Sequence, residues 1–125
     1  DGRIHQFCIR SGTRDEFLFA KDHTDMHKFS FDGLDELIAD LKSSGAPVYL
    51  TIDLDCLDSG IFPGTGTPEA GGVSFNELLK AILKVAGSNL IGADLNELSP
   101  MLDASGASTA TACKTLRELL LAINI

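Results

Sequence analysis

The run Val48-Tyr49-Leu50-Thr51-Ile52-Asp53-Leu54-Asp55 constrains this chain more than any other stretch. Its β-branched, aromatic and aliphatic residues describe a strand buried on both faces. Such a strand needs helices over the sheet, so the run points to an α/β fold with a mainly parallel sheet. It also ends in two carboxylates. In open parallel sheets, ligands bind at the C-terminal ends of the strands. A second run, Asn89 to Leu98 (NLIGADLNEL), has the same character and ends in Asp94, Asn96 and Glu97.

The surrounding sequence alternates strand and helix signals. RIHQFCIRS, from Arg3, reads as a short strand, Thr13 to Lys21 as a short helix and MHKFS as another short strand. Asp32 to Ser43 carries Leu34, Leu37, Ile38 and Leu41 at helical spacing, and Gly45 is its stop signal. Ser74 and Glu77 form a capping box, opening a helix to about Val85 with Leu78, Leu79, Ile82 and Leu83 on the buried face. Ser99-Pro100 breaks the second acidic-ended strand. A last helix over roughly Ser108 to Ala122 turns Leu116, Leu119 and Leu120 to the core. The 125 residues, 44% hydrophobic and 22% charged, suffice for one core.

With 18 acidic and 10 basic residues the net charge is −8, which repels phosphate backbones and argues against a nucleic-acid partner. The balance suits a cationic ligand or a metal. Cys8, Cys56 and Cys113 are odd in number and widely spaced, so neither a disulfide framework nor a zinc ribbon fits, and a cytoplasmic setting is expected. No apolar run reaches the roughly 18 residues of a transmembrane helix, so no membrane is expected as a partner. The chain passes from Asp1-Gly2 almost directly into a strand, which reads as a piece of a longer protein.

Three clusters carry chemistry-bearing residues. Asp53 and Asp55, two apart on a strand, share a side and repel unless a cation lies between them; Asp58 follows. Their oxygens suit a hard ion such as Mg²⁺ or Mn²⁺. Pro63-Gly64-Thr65-Gly66-Thr67-Pro68 is a shaped loop whose glycines let backbone approach a ligand, but it is not a phosphate-binding P-loop. Glu97 could hold a cationic group through a bidentate, charge-assisted pair. Taken singly, each cluster also reads as a plain acidic turn, a structural loop or a solvated strand end.

Together they say more. T-I-D-L-D-C-L-D, then P-G-T-G-T-P-E-A-G-G, then G-A-D-L-N-E-L-S-P resembles the arginase and agmatinase family of ureohydrolases in order, spacing and strand-end placement. IRSGTRDEF looks like the stretch that precedes these motifs in agmatinases, and the C-L-D and P-G-T-G-T-P variants are closer to that branch than to arginases. The resemblance covers residues 1–125 as the C-terminal part of a single ureohydrolase domain. It implies part of a three-layer α/β/α sandwich and metal-activated hydrolysis of a guanidinium compound, foremost agmatine to putrescine and urea. Position by position, it makes Asp53 and Asp55 ligands of a two-Mn²⁺ site, Thr67 part of the substrate lining and Glu97 the carboxylate that holds the guanidinium. It also implies a homo-oligomer.

The pattern departs in one large way. The family's Gly-Gly-Asp-His and Asp-Ala-His-x-Asp motifs, and its proton-shuttling histidine, belong upstream and are not in these residues. Asp22-His23-Thr24-Asp25-Met26-His27 mimics halves of the second motif but has the wrong spacing and lies on the wrong side of IRSGTRDEF, so it reads as an exposed loop. His5 has no acidic neighbour at ligand spacing and reads as structural. Asp58-Ser59-Gly60 stands where the family usually has Asp-Pro. These departures predict an inactive chain with an incomplete metal site, and uncovered strand faces and an open sheet edge that invite self-association. Other readings are an arginase or guanidinobutyrase, a non-catalytic assembly module, and a haloacid-dehalogenase-type phosphotransferase. For the last, the Thr expected after D-x-D is missing.

Overall fold

The computed structural model describes residues 3–123. Strands and helices alternate: β1 (His5–Ile9), α1 (Arg14–His23), β2 (Asp25–Lys28), α2 (Leu34–Ser44), β3 (Val48–Asp53), α3 (Phe75–Ala86), β4 (Leu90–Asn96) and α4 (Ala107–Ile123). The expected α/β class is what forms, and every described strand pairing is parallel. The strands form two pairs, β1 with β2 and β3 with β4.

Local chemistry sets the boundaries. Thr13 and Ser74 each close a capping box, with Glu16 and Glu77, at the starts of α1 and α3. Each cap is worth about 1 kcal/mol. α2 stops at Gly45, whose φ of 67° gives the left-handed turn that releases the chain into β3. The β3–β4 register places Thr51 opposite Asp94 and Asp53 opposite Asn96, so both acidic strand ends lie at one edge.

The core sits between β3, the connection after it, α3 and α4. Ile52, Leu54, Leu57, Phe62, Val73, Leu78, Ile82, Ala112 and Leu119 form one buried cluster. Phe62, Leu54 and Leu57 are its fully buried members. The long Gly- and Pro-rich connection from Cys56 to Gly72 is thus pinned from within, and Leu57 bridges to Val73.

Three expectations are corrected. β3 is buried on one face only: Ile52 is buried, while Tyr49 is 62% exposed and Ile91 of β4 is 68% exposed. Nothing among the described residues covers that side. Leu83, Leu116 and Leu120 face outward, because α3 packs through Leu78, Ala81 and Ile82, and α4 through Ala112, Thr115 and Leu119. An apolar stripe marks a helix's inner side but overstates its width where small residues make the contact. The His-rich run is not a loop: His23 closes α1 and stacks on Phe19, while Asp25 and His27 lie in β2. His5 keeps its structural reading and gains an acidic partner: its Nδ1 is 3.0 Å from Asp25 Oδ2, and His27 Nε2 lies 3.2 Å from the same oxygen. That partner is 20 residues away and becomes visible only once β1 pairs with β2.

Candidate metal and guanidinium site

Asp53 ends β3, and a single 3₁₀ turn, Leu54–Cys56, follows it directly. The turn exists because Asp53 caps it: the Asp55 N–H donates to Asp53 Oδ1 at 3.0 Å. Leu54 is fully buried and anchors the turn, which leaves Asp55 facing the strand end. The two carboxylates are neighbours, but not through the shared strand side that their spacing suggested: β3 ends at Asp53, and the capped turn brings Asp55 back to it.

The surroundings of Asp53 disfavour its charge. The Asp53 carboxyl is pushed up from 3.8 to about 6. Loss of solvent is the largest cause; the Asp55 N–H works against it, and the charges of Asp55 and then Glu97 add to it. Glu97 thus stands close enough to Asp53 to be felt.

The Pro-Gly-Thr loop closes the other side. Thr67 Oγ1 donates to Asp55 Oδ2 at 3.1 Å. Glu97 borders the same loop, because a Cβ on Gly66 would lie 3.7 Å from Glu97 Oε2. The loop is held from beneath by α4. The Gly64 N–H donates to Ser108 Oγ at 2.9 Å, and the Ser108 N–H donates to Asp103 Oδ2 at 2.8 Å. Gly64 is required there, since a Cβ would come within 2.7 Å of the Ser108 Cβ. Hydroxyls and N–H groups of Ser105 and Ser108 hold the Asp103 carboxyl well below the usual carboxylate range. Asp58 is occupied elsewhere: its oxygens accept from the N–H groups of Gly60 and Gly71, which ties off the loop.

Asp53, Asp55 and Thr67 line a cleft of about 540 Å³ between β1 and β3, together with Cys8, Arg10 and Asn96. Three of the four positions singled out in the sequence thus line one cleft, and Glu97, which does not line it, stands beside the Gly66 loop within range of the Asp53 charge. Asp103, Ser108 and Arg10 escaped sequence reading. An aspartate before a helix was the one available hint for Asp103, and nothing marked its link to Gly64.

The donor set can be tested against a hard divalent ion. Asp53 and Asp55 offer oxygen donors with unbalanced charge, which fits such an ion. They fit only part of its shell, because among the described residues no group of three His, Cys, Asp or Glu side chains converges as a metal cluster.

Glu97 carries a second mark. Its φ of 69° puts a non-glycine residue in the left-handed region, where a Cβ costs about 1 kcal/mol. Strain of this kind is tolerated where the side chain is needed. Glu97→Gly is expected to raise stability by about 0.5–1 kcal/mol in urea unfolding. A clear loss of stability would mean that Glu97 serves the fold.

Comparison with known proteins places the sequence and the fold. Residues 1–122 match the Arginase family profile. The chain is 46% identical over 121 residues to an agmatinase of Bacillus cereus, covering 94% of this chain and 41% of that protein. It is 48% identical to an agmatinase of Halalkalibacterium halodurans, over 94% and 42% of the two chains. A crystal structure of a Clostridium difficile protein proposed as an agmatinase superposes with a TM-score of 0.88 at 48% identity, over 96% of this chain and 44% of that one. The arginase of Bacillus caldovelox superposes with a TM-score of 0.82 at 28% identity, over 92% and 42%. Fold and motifs together define an α/β protein with an arginase-like fold. The chain belongs to the arginase family, and it spans about two-fifths of the length of the curated relatives it matches.

Proposed function

We propose that this chain is the C-terminal part of a manganese-dependent ureohydrolase that converts agmatine to putrescine and urea. The observation that carries the reading is the meeting of Asp53, Asp55 and Thr67 in one strand-end cleft with Glu97 close by, neither aspartate carboxylate having an ion-pair partner among the described residues. Asp53 and Asp55 would hold Mn²⁺, which when bound lowers the pKa of water enough to make a nucleophile at neutral pH. Thr67 orients the Asp55 carboxylate through its hydroxyl. Glu97 would pair with the guanidinium and present its carbon to that water. The reaction adds one water, breaks the bond between that carbon and the substituted nitrogen, and yields urea and a protonated amine. Preference for agmatine over arginine or guanidinobutyrate rests on the agmatinase relatives. Two Mn²⁺ per complete site, a homo-oligomer and a cytoplasmic setting belong to the same proposal. For the described residues, no helix is long and apolar enough to cross a membrane.

Two aspartates supply a minority of the roughly six ligands each ion wants. Equilibrium dialysis of the 125-residue chain is therefore expected to show weak Mn²⁺ binding, lost in Asp53→Asn with Asp55→Asn, and no urea from agmatine. Two tightly held ions, or urea release by the chain alone, would show that its metal site is complete. The function itself is tested on the full-length gene product with Mn²⁺. Agmatine is expected to be turned over at least about tenfold better than arginine or guanidinobutyrate, a gap of about 1.4 kcal/mol. Phosphatase activity without urea release would sink the ureohydrolase reading.

A further inference from the structure

Arg10 lies just beyond β1, in the Ile9-Arg10-Ser11 stretch to which the proposed reaction gives no task. Its side chain is only 6% exposed. The guanidinium crosses the cleft and donates from Nη1 to the Cys56 carbonyl at 2.8 Å and from Nη2 to the Asp55 carbonyl. Its Nε has no hydrogen-bond partner among the described residues, and Glu69 Oε2 stands 3.9 Å from it. The same Glu69 oxygen accepts from Ser11 Oγ at 2.7 Å. A buried charge is costly unless it is well bonded, and a planar fork suits two adjacent oxygens as a lysine ammonium does not. One side chain thus joins β1, the turn that carries Asp55, and the segment that carries Thr67 and Glu69.

We propose that Arg10 is a positioning residue: its fork grips the consecutive carbonyls of Asp55 and Cys56 and so sets the direction of the Asp55 carboxylate toward the metal. Fixing two successive carbonyls fixes the peptide planes on the C-terminal side of Asp55, adding to the Asp55 N–H, the Leu57 N–H and the Val73 N–H that bonds the Cys56 carbonyl. The assignment rests on Asp53 and Asp55 being metal ligands, and its test separates the two ideas.

Amide hydrogen exchange of the 125-residue chain, read by NMR without metal, is the first measurement. Arg10→Gln and Arg10→Lys are each expected to speed exchange at Asp55 and Leu57 at least about tenfold, while Leu37 and Ile38 in α2 stay within about twofold. Unchanged rates at Asp55 and Leu57 would overturn the proposal. So would equal acceleration in α2, which would mark a general loss of stability. Wild-type rates in Arg10→Lys would assign the effect to charge and overturn the fork. Should the Arg10 variants fail to fold, Glu69→Gln, which loosens the guanidinium without removing it, is expected to raise exchange about twofold at the same two amides; no change would overturn the proposal. The second measurement titrates Mn²⁺ alone, followed by electron paramagnetic resonance. Arg10→Gln is expected to weaken binding at least about fivefold, and a loosened turn with undiminished affinity would overturn the positioning role. If Asp53→Asn with Asp55→Asn leaves binding unchanged, the metal reading falls, and exchange alone decides what Arg10 holds.

Discussion

Gly72→Ala is expected to cost this chain about 3 kcal/mol, enough to leave a marginal fold largely unfolded. A Cβ at position 72 would lie 2.4 Å from the Asp58 nitrogen, 2.4 Å from the Leu57 carbonyl carbon and 2.6 Å from the Cys56 oxygen. All three are backbone atoms, and none can swing aside as a side chain would. They belong to the close pairing in which the Val73 N–H donates to the Cys56 carbonyl and the Asp58 N–H donates to the Val73 carbonyl. Relief requires prising that pairing apart, which withdraws Leu57 and Val73 from the core. Gly71 is the control. It has a φ of 81° and open space around its Cβ position, so Gly71→Ala carries only left-handed strain of about 1 kcal/mol. Urea midpoints of the two variants settle the matter. Near-equal losses would mean that Gly72 does not press on the 56–58 backbone.

That pairing shows where sequence reading reached and where it stopped. The strands, the helices and two of their ends were legible because each is written in consecutive residues: Ser74 with Glu77, Gly45 after Leu41, the apolar run into Asp53. Asp53, Asp55, Thr67 and Glu97 were legible for a different reason, since their motifs follow one another in a fixed order. What stayed hidden depends on contacts between distant segments. Leu57 against Val73, Gly64 against Ser108 and Arg10 against the Asp55 carbonyl each span 16 to 45 residues, and no local pattern encodes them. The exposed face of β3 was misread because an apolar run reports what a residue could bury, not what covers it.

The same turn makes Asp53→Asn informative in two directions at once. In the folded chain the Asp53 carboxyl titrates at about 6, against an ordinary value of 3.8. Between those values the folded chain binds more protons than the unfolded chain, so stability rises as pH falls through 6 and the gain is complete below about 4. Above 6 the ionised carboxylate is a standing cost. Asparagine removes the charge but keeps an oxygen to accept from the Asp55 N–H, so the cap on the turn survives. Without metal, Asp53→Asn is therefore expected to be more stable than the native chain at pH 7.5 by about 1 kcal/mol, after a discount for solvent screening at this accessible site. The difference should vanish near pH 4. Added Mn²⁺ should reverse the order at neutral pH, because a ligand that binds the folded chain stabilises it by mass action and the variant has lost most of that binding. A destabilised variant at pH 7.5 without metal would mean that the Asp53 charge serves the fold. A variant that Mn²⁺ stabilises as well as it does the native chain would remove Asp53 from the metal site. The opposite signs in the absence and presence of metal are what distinguish a carboxylate kept for a cation from one kept for structure.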